Sequence, residues 1–311
     1  MGVQSDSALS TAYSLILSGD IQQAKALLED TFPADLENND LVFALLCCKF
    51  WLTNLEKIKS AEPFEYGEAI INHWKIFETN VIAREEEPPL EETLYVFKKV
   101  IFSLALDKYS KVYDDPDKKI HTEVCRKMGL CHKKLGNYEE ALKFLTEANN
   151  TMQGLSYILA EMADCYDLCG EDKLAKVIFR EAFFTDPEKI DLALLDSPLI
   201  RKLIDKVSAK GYAGRELLEW IPVYGTLYGV FNIRRTLKSQ EVGRLKQDIY
   251  AKENENKDPV NSALLKPRLL NMYFWLIDYY DLSQEITRIK EVLLKIKLLA
   301  PDIYNLYAGE A

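Results

Sequence analysis

The sequence has few of the residues that most often carry catalysis. Histidine occurs three times in 311 residues, at His73, His121 and His132, and none of the three stands in a recognised arrangement with an acid and a nucleophile. The sequence also has no nucleophile elbow and no glycine-rich phosphate-binding loop. Gly225 and Gly229 are four residues apart, which is not a nucleotide-binding spacing. We therefore expect no enzymatic activity, no catalytic residue and no cofactor.

An excess of positive charge is also lacking, because 49 acidic residues outnumber 39 basic ones and leave a net charge of −10. A general nucleic-acid binder has a basic footprint, so nucleic acid is not an expected partner. No apolar run reaches the roughly 18 residues that a membrane span needs, and the first residues lack the basic and apolar regions of a signal peptide. Six cysteines, several of them in helical segments, fit a reducing cytoplasm better than a disulfide framework. We expect a cytoplasmic protein.

The charge is unevenly distributed along the chain. The first hundred residues are acidic and include the run Glu85-Glu86-Glu87, whereas residues 200–250 have an excess of Lys and Arg. A solvated surface explains this asymmetry, and contact with an acidic partner is the alternative.

What the sequence does contain is helical periodicity along almost its whole length, and no segment alternates as a half-buried strand would. We therefore expect an all-α fold. Two consecutive segments, Thr122–Leu155 and Ser156–Lys189, repeat each other at an offset of 34 residues. The offset pairs small residues with small ones and bulky residues with bulky ones: Gly129 with Ala163, Cys131 with Cys165, Ala141 with Ala175, Leu145 with Phe179 and Ala148 with Ala182. Such a pattern, with a glycine at the turn, predicts an antiparallel helix pair in each segment.

These two segments resemble the tetratricopeptide repeat, and the stretch Leu135–Ala148 (LGNYEEALKFLTEA) is closest to the family pattern. The second copy has Asp172 where an aromatic residue is usual. The resemblance implies a right-handed superhelix of antiparallel helix pairs, a TPR-like solenoid, whose concave groove binds a peptide or protein segment. Carried over position by position, it places seven polar or aromatic groove residues on the first helices of the two repeats: Glu123, Arg126, Lys133, Lys134, Tyr157, Asp164 and Asp167.

The rest of the chain follows the repeat pattern less closely. Gly19, Ala24 and Leu28 occupy repeat-like positions near the N-terminus. We expect degenerate helical-hairpin repeats in residues 1–113, two clear repeats in 114–189, and non-repeat helices in 190–250. A loop at 251–265 and a C-terminal capping helical hairpin at 266–311 complete the expected organisation. The leading functional expectation is a non-catalytic protein-interaction scaffold, and the oligomeric state stays open.

An uncharged stretch, Trp220–Ile233, lies outside the repeats and is followed by Arg234-Arg235. Pro222 predicts that the preceding helix ends at residues 219–221, and a new helix from Val223 would place two glycines on one face. One interpretation is a buried hairpin. Another is an exposed contact surface formed by Trp220, Tyr224, Tyr228, Arg234 and Arg235. The third makes the protein a membrane-surface-associated adaptor that attaches through this segment, which is too short to span a bilayer.

The cysteines provide a nominal pool of metal ligands. Cys125, Cys131 and His132 lie on one helix, and Cys165 and Cys169 lie on the equivalent helix of the next repeat. A zinc site needs four nitrogen or sulfur ligands in a tetrahedron. However, Cys131 and Cys165 occupy small-residue packing positions, and a cysteine without a disulfide often packs as a small hydrophobe. We therefore predict that these residues pack in the core and bind no metal.

Overall fold

The structure is a computed structural model that describes residues 2–84, 91–256 and 262–309. Within these residues it contains helices, turns and irregular segments but no strand, so the expected all-α class is confirmed. The chain divides into two compact units, residues 1–152 and residues 153–311. The boundary lies three residues before the end of the first predicted repeat, Thr122–Leu155, so the first unit contains nearly all of that repeat and the second unit contains the other one.

The described residues of the first unit form seven α-helices. They are α1 (Gly2–Leu17), α2 (Ile21–Thr31), α3 (Asn39–Lys57), α4 (Pro63–Asn80), α5 (Glu91–Ser110), α6 (Lys118–Lys134) and α7 (Tyr138–Thr151). Side-chain caps fix several starts. The Asp20 carboxylate accepts a hydrogen bond from the backbone N–H of Gln23, and Asn38 caps α3 in the same way. The acidic run Glu85–Glu87 lies outside the described residues.

Helix α6 packs against α7, as the first repeat predicts. Gly129 of α6 faces Leu145 and the backbone of Ala141 on α7, and a methyl group on Gly129 would lie 2.7 Å from the Cγ atom of Leu145. Ala141, Leu145 and Ala148 are all fully buried. A small residue is therefore needed at this crossing because the two helices approach too closely for a larger one.

Eight α-helices are formed by the residues of the second unit that the structure describes. They are α8 (Ser156–Leu168), α9 (Asp172–Thr185), α10 (Pro198–Ser208), α11 (Gly214–Leu227), α12 (Ser239–Glu255), α13 (Ser262–Leu282), α14 (Ile286–Leu299) and α15 (Pro301–Ala308). Helix α8 packs against α9, and α13 contacts α11, α12 and α14. More than half of the side chains of α13 are buried, as expected for a helix that is apolar on all sides. The core of this unit is built around it.

Helix α11 does not end before Pro222, so this prediction is wrong. The helix continues to Leu227 with the proline inside it. A proline in a helix interior removes one backbone hydrogen bond and costs about 3 kcal/mol. The side chains around it, including Trp220, Ile221 and Val223, are buried in the core. Their burial outweighs the local penalty, since each large apolar side chain contributes about 1.5–3 kcal/mol.

The two glycines of this segment also have different roles from the expected shared helix face. Gly225 lies inside α11 against the ring of the buried Phe231. Gly229 follows the helix with a φ of 69°, a conformation that glycine adopts without strain. The backbone N–H of Phe231 then donates to the carbonyl of Gly225 over 2.8 Å. The chain therefore turns back onto the helix instead of forming a second one.

Three further expectations are corrected at the level of segments. The non-repeat helices expected in 190–250 begin only with α10, because the chain before it forms two short 3₁₀ turns, Pro187–Lys189 and Leu192–Leu194. The loop expected at 251–265 is shorter, because α12 extends to Glu255 and α13 begins at Ser262. Residues 257–261 lie outside the described residues. The expected C-terminal hairpin is followed by an additional helix, α15, which begins at a proline. Among the helices that the structure describes, none is both long and apolar enough to cross a membrane.

Candidate functional site

The predicted groove residues of the first unit are largely engaged within the protein. Lys133 and Lys134 are buried. Arg126 is also buried, and its Nε donates to both carboxylate oxygens of Glu123, over 3.1 and 3.0 Å. Burial raises the pKa of Glu123, but the hydrogen bond and charge of Arg126 together with the charge of Lys127 outweigh burial, so the net pKa lies below the usual value. The Arg126 guanidinium is therefore already paired with Glu123, one helical turn earlier on the same helix.

The predicted groove residues of the second unit have a structural role that the repeat pattern did not indicate. The buried carboxylate of Asp164 accepts hydrogen bonds from the backbone N–H groups of Asp196, over 3.0 and 2.9 Å, and of Ser197, over 2.8 Å. Asp167 accepts one from the N–H of Leu199 over 3.2 Å, whereas Tyr157 is half-buried. The two aspartates therefore fasten α8 to the start of α10, and their partners lie too far along the chain for helical periodicity to reveal them.

Two of the three aromatic residues predicted to form the second contact surface are not exposed. Trp220 and Tyr224 are buried, and the ring of Trp220 stacks on Tyr212 with centroids 4.8 Å apart. Only Tyr228 of the three aromatic residues is well exposed, at 41%. Arg234 donates from Nε toward Asp278 over 3.1 Å and also pairs with Asp281. The buried-packing alternative therefore describes Trp220 and Tyr224, and the exposed-surface alternative is wrong for them.

Arg235 fastens the segment after α11 to two helices. Its guanidinium binds Glu181 of α9, with Nε donating over 2.8 Å, and Glu241 of α12, with Nη2 donating over 2.9 Å. The Glu241 carboxylate also accepts from the backbone N–H of Lys238 over 2.7 Å. Hydrogen bonding to Arg235 and to Lys238 holds the pKa of Glu241 below its usual value. The guanidinium lies 5.6 Å from the ring centroid of Trp275, close enough for a cation–π contact.

A cleft opens beside this ion-pair network, entirely within the second unit, and we refer to it as the unit 2 cleft. Helices α9, α11, α12 and α13 contribute its walls, and its volume is about 460 Å³. This volume lies within the range of roughly 300–1,000 Å³ that is common for ligand sites. Its lining combines apolar and charged side chains: Phe183, Phe184, Pro187, Leu237, Leu245 and Met272 together with Glu181, Glu219, Arg235, Glu241, Arg244, Asp248, Lys252 and Arg268.

The deepest charged pair in the cleft is Glu219 with Arg268. Glu219 is buried, and Arg268 binds it through two guanidinium nitrogens, with Nε donating to Oε2 over 3.0 Å. Burial raises the pKa of Glu219 above its usual value, although Arg268 opposes the shift. Removal of Arg268 would leave the Glu219 carboxylate buried without a partner, which is costly, so this pair is not available to a ligand.

Several polar side chains of the cleft remain available to a ligand, among them Asn271, Arg244 and Asp248. Asn271 is only 6% exposed and lines the cleft, yet its amide forms no hydrogen bond to any residue that the structure describes. Its amide atoms are not fully shielded, so water in the cleft reaches them until a ligand replaces it. Arg244 and Asp248 lie exposed on α12 and likewise form no ion pair within the described part of the chain.

Three of the four cysteines that the sequence suggested as metal ligands are buried, and His132 is half-buried. Cys125, Cys131 and Cys165 are buried, and Cys169 is exposed at the end of α8. The His132 ring stacks on Phe144 with centroids 5.3 Å apart, and burial lowers its pKa.

Fold and site together define the class of protein: an all-α chain whose helices pack in pairs, with a polar-lined cleft in its second unit. No protein-family model matches the chain, and no curated protein sequence is similar to it.

Proposed function

We propose that the protein is a non-catalytic interaction scaffold whose second unit binds an extended segment of another protein in the unit 2 cleft. The observation that carries this proposal is Asn271, a nearly buried amide that faces the cleft without a hydrogen-bond partner in the described chain. The resemblance of residues 122–189 to tetratricopeptide repeats supports the same class of function, since stacked helix pairs present extended binding surfaces.

The chemistry of Asn271 matches a peptide group. A carboxamide offers one acceptor oxygen and two donor hydrogens, so it can accept from a backbone N–H and donate to a backbone carbonyl of the same segment. A ligand backbone that makes both bonds replaces cleft water at the amide, and the typical net gain is about 0.5–1.5 kcal/mol per hydrogen bond. The segment is therefore held through its backbone at this point.

The rest of the lining selects side chains of the segment. Phe184 and Met272 offer apolar surface, and the ring of Phe184 is held against Trp275 with centroids 4.4 Å apart. Arg244 is an unpaired cation at the exposed side of the cleft, so it attracts an acidic side chain. We therefore expect the preferred segment to contain an apolar residue with a Glu or Asp nearby.

This assignment moves the binding site away from the groove residues expected from the repeat pattern. Arg126 and Asp164 have partners inside their own units, and breaking those contacts to bind a ligand would cost stability. The membrane-adaptor alternative is not retained, because burial of Trp220 and Tyr224 removes the apolar surface on which it depended.

The experiment that tests the proposal selects peptides from a random displayed library on the purified full chain and measures their affinities by fluorescence anisotropy. Asn271→Leu keeps the approximate shape but removes the amide, and we expect binding to weaken about 5- to 100-fold, as loss of buried hydrogen bonds predicts. Arg244→Glu should weaken acidic peptides in particular. Lys290→Glu, an exposed change on α14 outside the cleft, is the matched control.

Equal affinities for wild type, Asn271→Leu and Arg244→Glu would contradict the proposal. Circular dichroism of each variant separates a lost contact from a lost fold, because only an unfolded variant loses its helical signal.

A further inference from the structure

Three potential metal ligands of the first unit converge on one point. His121 and Cys125 lie four residues apart on one face of α6, and Glu147 reaches them from α7. One ligand atom from each residue, Nε2 of His121, Sγ of Cys125 and a carboxylate oxygen of Glu147, lies within 4.8 Å of the other two. Only one of the three, Cys125, belongs to the cysteine and histidine pool that the sequence suggested.

We propose that His121, Cys125 and Glu147 form a binding site for a zinc ion, with water as the fourth ligand. Zinc accepts nitrogen, sulfur and carboxylate oxygen, and sites with three protein ligands keep one position for water. Two of the three spacings are close to that geometry, and the third, between Cys125 Sγ and the Glu147 carboxylate, lies within 4.8 Å. Tetrahedral zinc bonds of ordinary length place a nitrogen and an oxygen ligand about 3.3 Å apart, and a nitrogen and a sulfur ligand about 3.6 Å apart. The corresponding distances here are 3.0 Å and 3.5 Å.

The orientation of the His121 ring presents one nitrogen to the other two ligands. Its Nδ1 lies 2.8 Å from the backbone carbonyl of Tyr113, which only accepts, so Nδ1–H donates to that carbonyl. Nε2 therefore faces the cluster, at 3.0 Å from Glu147 Oε1 and 3.5 Å from Cys125 Sγ. A metal ion between these three atoms would bond all of them.

Tyr113 supports two of the three ligands from the outside. Its carbonyl fixes the His121 tautomer, and its hydroxyl donates to Glu147, over 2.8 Å to Oε1 and 3.0 Å to Oε2. Histidine ligands commonly donate their second N–H to a carbonyl or carboxylate, and ligating carboxylates are hydrogen-bonded in turn. Hydrogen bonds of this kind to the ligands are expected of a preorganised metal site.

A zinc ion can reach the cluster from the solvent, and the proton that Cys125 loses on binding it can pass to water. Cys125 is buried, but Glu147 and His121 are 39% and 22% exposed in their side chains, so a hydrated ion reaches the cluster from the solvent side. As the zinc–sulfur bond forms, the Cys125 thiol releases its proton to water, and the sulfur keeps the electron pair that it shares with the metal.

The test uses the full chain, freed of metal with a chelator and titrated with Zn²⁺ or Co²⁺. We expect one equivalent of metal after dialysis, and a thiolate-to-cobalt charge-transfer band together with the visible bands of tetrahedral Co²⁺. Cys125→Ser should abolish the charge-transfer band. Glu147→Gln should weaken binding more than about 100-fold, beyond the 10- to 100-fold loss expected for the outer-shell change Tyr113→Phe.

Cys131→Ser is the matched control, because Cys131 is buried on the same helix but lies outside the cluster. It should bind metal as the wild type does. Should Cys125→Ser fail to fold, Glu147→Gln still decides, because Glu147 is partly exposed. Retention of less than one equivalent by the wild type, or an unchanged cobalt spectrum in Cys125→Ser, would overturn the proposal and leave a His121–Glu147 ion pair without metal.

Discussion

Gly225 lies where the second unit folds back on itself, and its lack of a side chain is structural. A methyl group here would overlap the buried ring of Phe231, with the Cε2 atom only 2.6 Å away. We predict that Gly225→Ala lowers the free energy of unfolding by about 1–3 kcal/mol, the usual cost of overpacking. Urea denaturation followed by circular dichroism measures it.

Gly243 offers the matched control in the same unit. It lies inside α12 and is exposed, and a methyl group there would contact nothing within 4 Å. Gly243→Ala should therefore raise the free energy of unfolding by roughly 0.5–1 kcal/mol, since glycine weakens a helix interior. Equal effects of the two substitutions would contradict the close packing of Gly225 against Phe231.

Helix α6 depends on the residue that precedes it. The Asp117 carboxylate accepts hydrogen bonds from the backbone N–H groups of Lys119, over 2.7 Å, and of Ile120, over 3.2 Å. We predict that Asp117→Ala destabilises the first unit by about 1 kcal/mol, the typical cost of losing an N-cap, whereas Asp117→Asn costs little. Thermal unfolding of the two variants distinguishes them. A loss of the same size in both would show that the charge, and not the cap, stabilises the helix.

The sequence predicted the helices well because their signals are local. The 34-residue offset located two helix pairs, since small residues at a crossing and a glycine at a turn depend on near neighbours. It failed at Pro222, where burial of Trp220 and Val223 outweighs a local rule. Contacts between distant positions were not predictable: the partners of Asp164 lie 32 and 33 residues away. Likewise, Glu147 lies 26 residues from His121, so spacing alone did not reveal the proposed zinc site.

The division of the chain at residue 152 predicts that each half folds by itself. The first unit has an aromatic cluster that includes Trp51, Trp74 and Phe77, and the core of the second unit extends from Ala160 to Ile303. We expect separate chains of residues 1–152 and 153–311 to show helical circular dichroism and cooperative unfolding by calorimetry, because each has its own core.

A cut after Thr185 is the comparison, because it separates Phe183 from Phe231, whose rings stack at 5.9 Å within one core. Residues 186–311 should then lack a cooperative transition. A fragment of residues 153–311 that behaves no better would contradict the independence of the second unit.

The six cysteines differ in burial, so their alkylation rates can measure local opening of the structure. Cys169 is exposed, so an alkylating reagent reaches it in the native state, whereas Cys47, Cys48, Cys125 and Cys131 in the first unit and Cys165 in the second are buried. A buried thiol reacts only while the structure around it is open, so its alkylation rate measures the free energy of that opening. The native sequence therefore contains probes of local stability in both units and needs no introduced label.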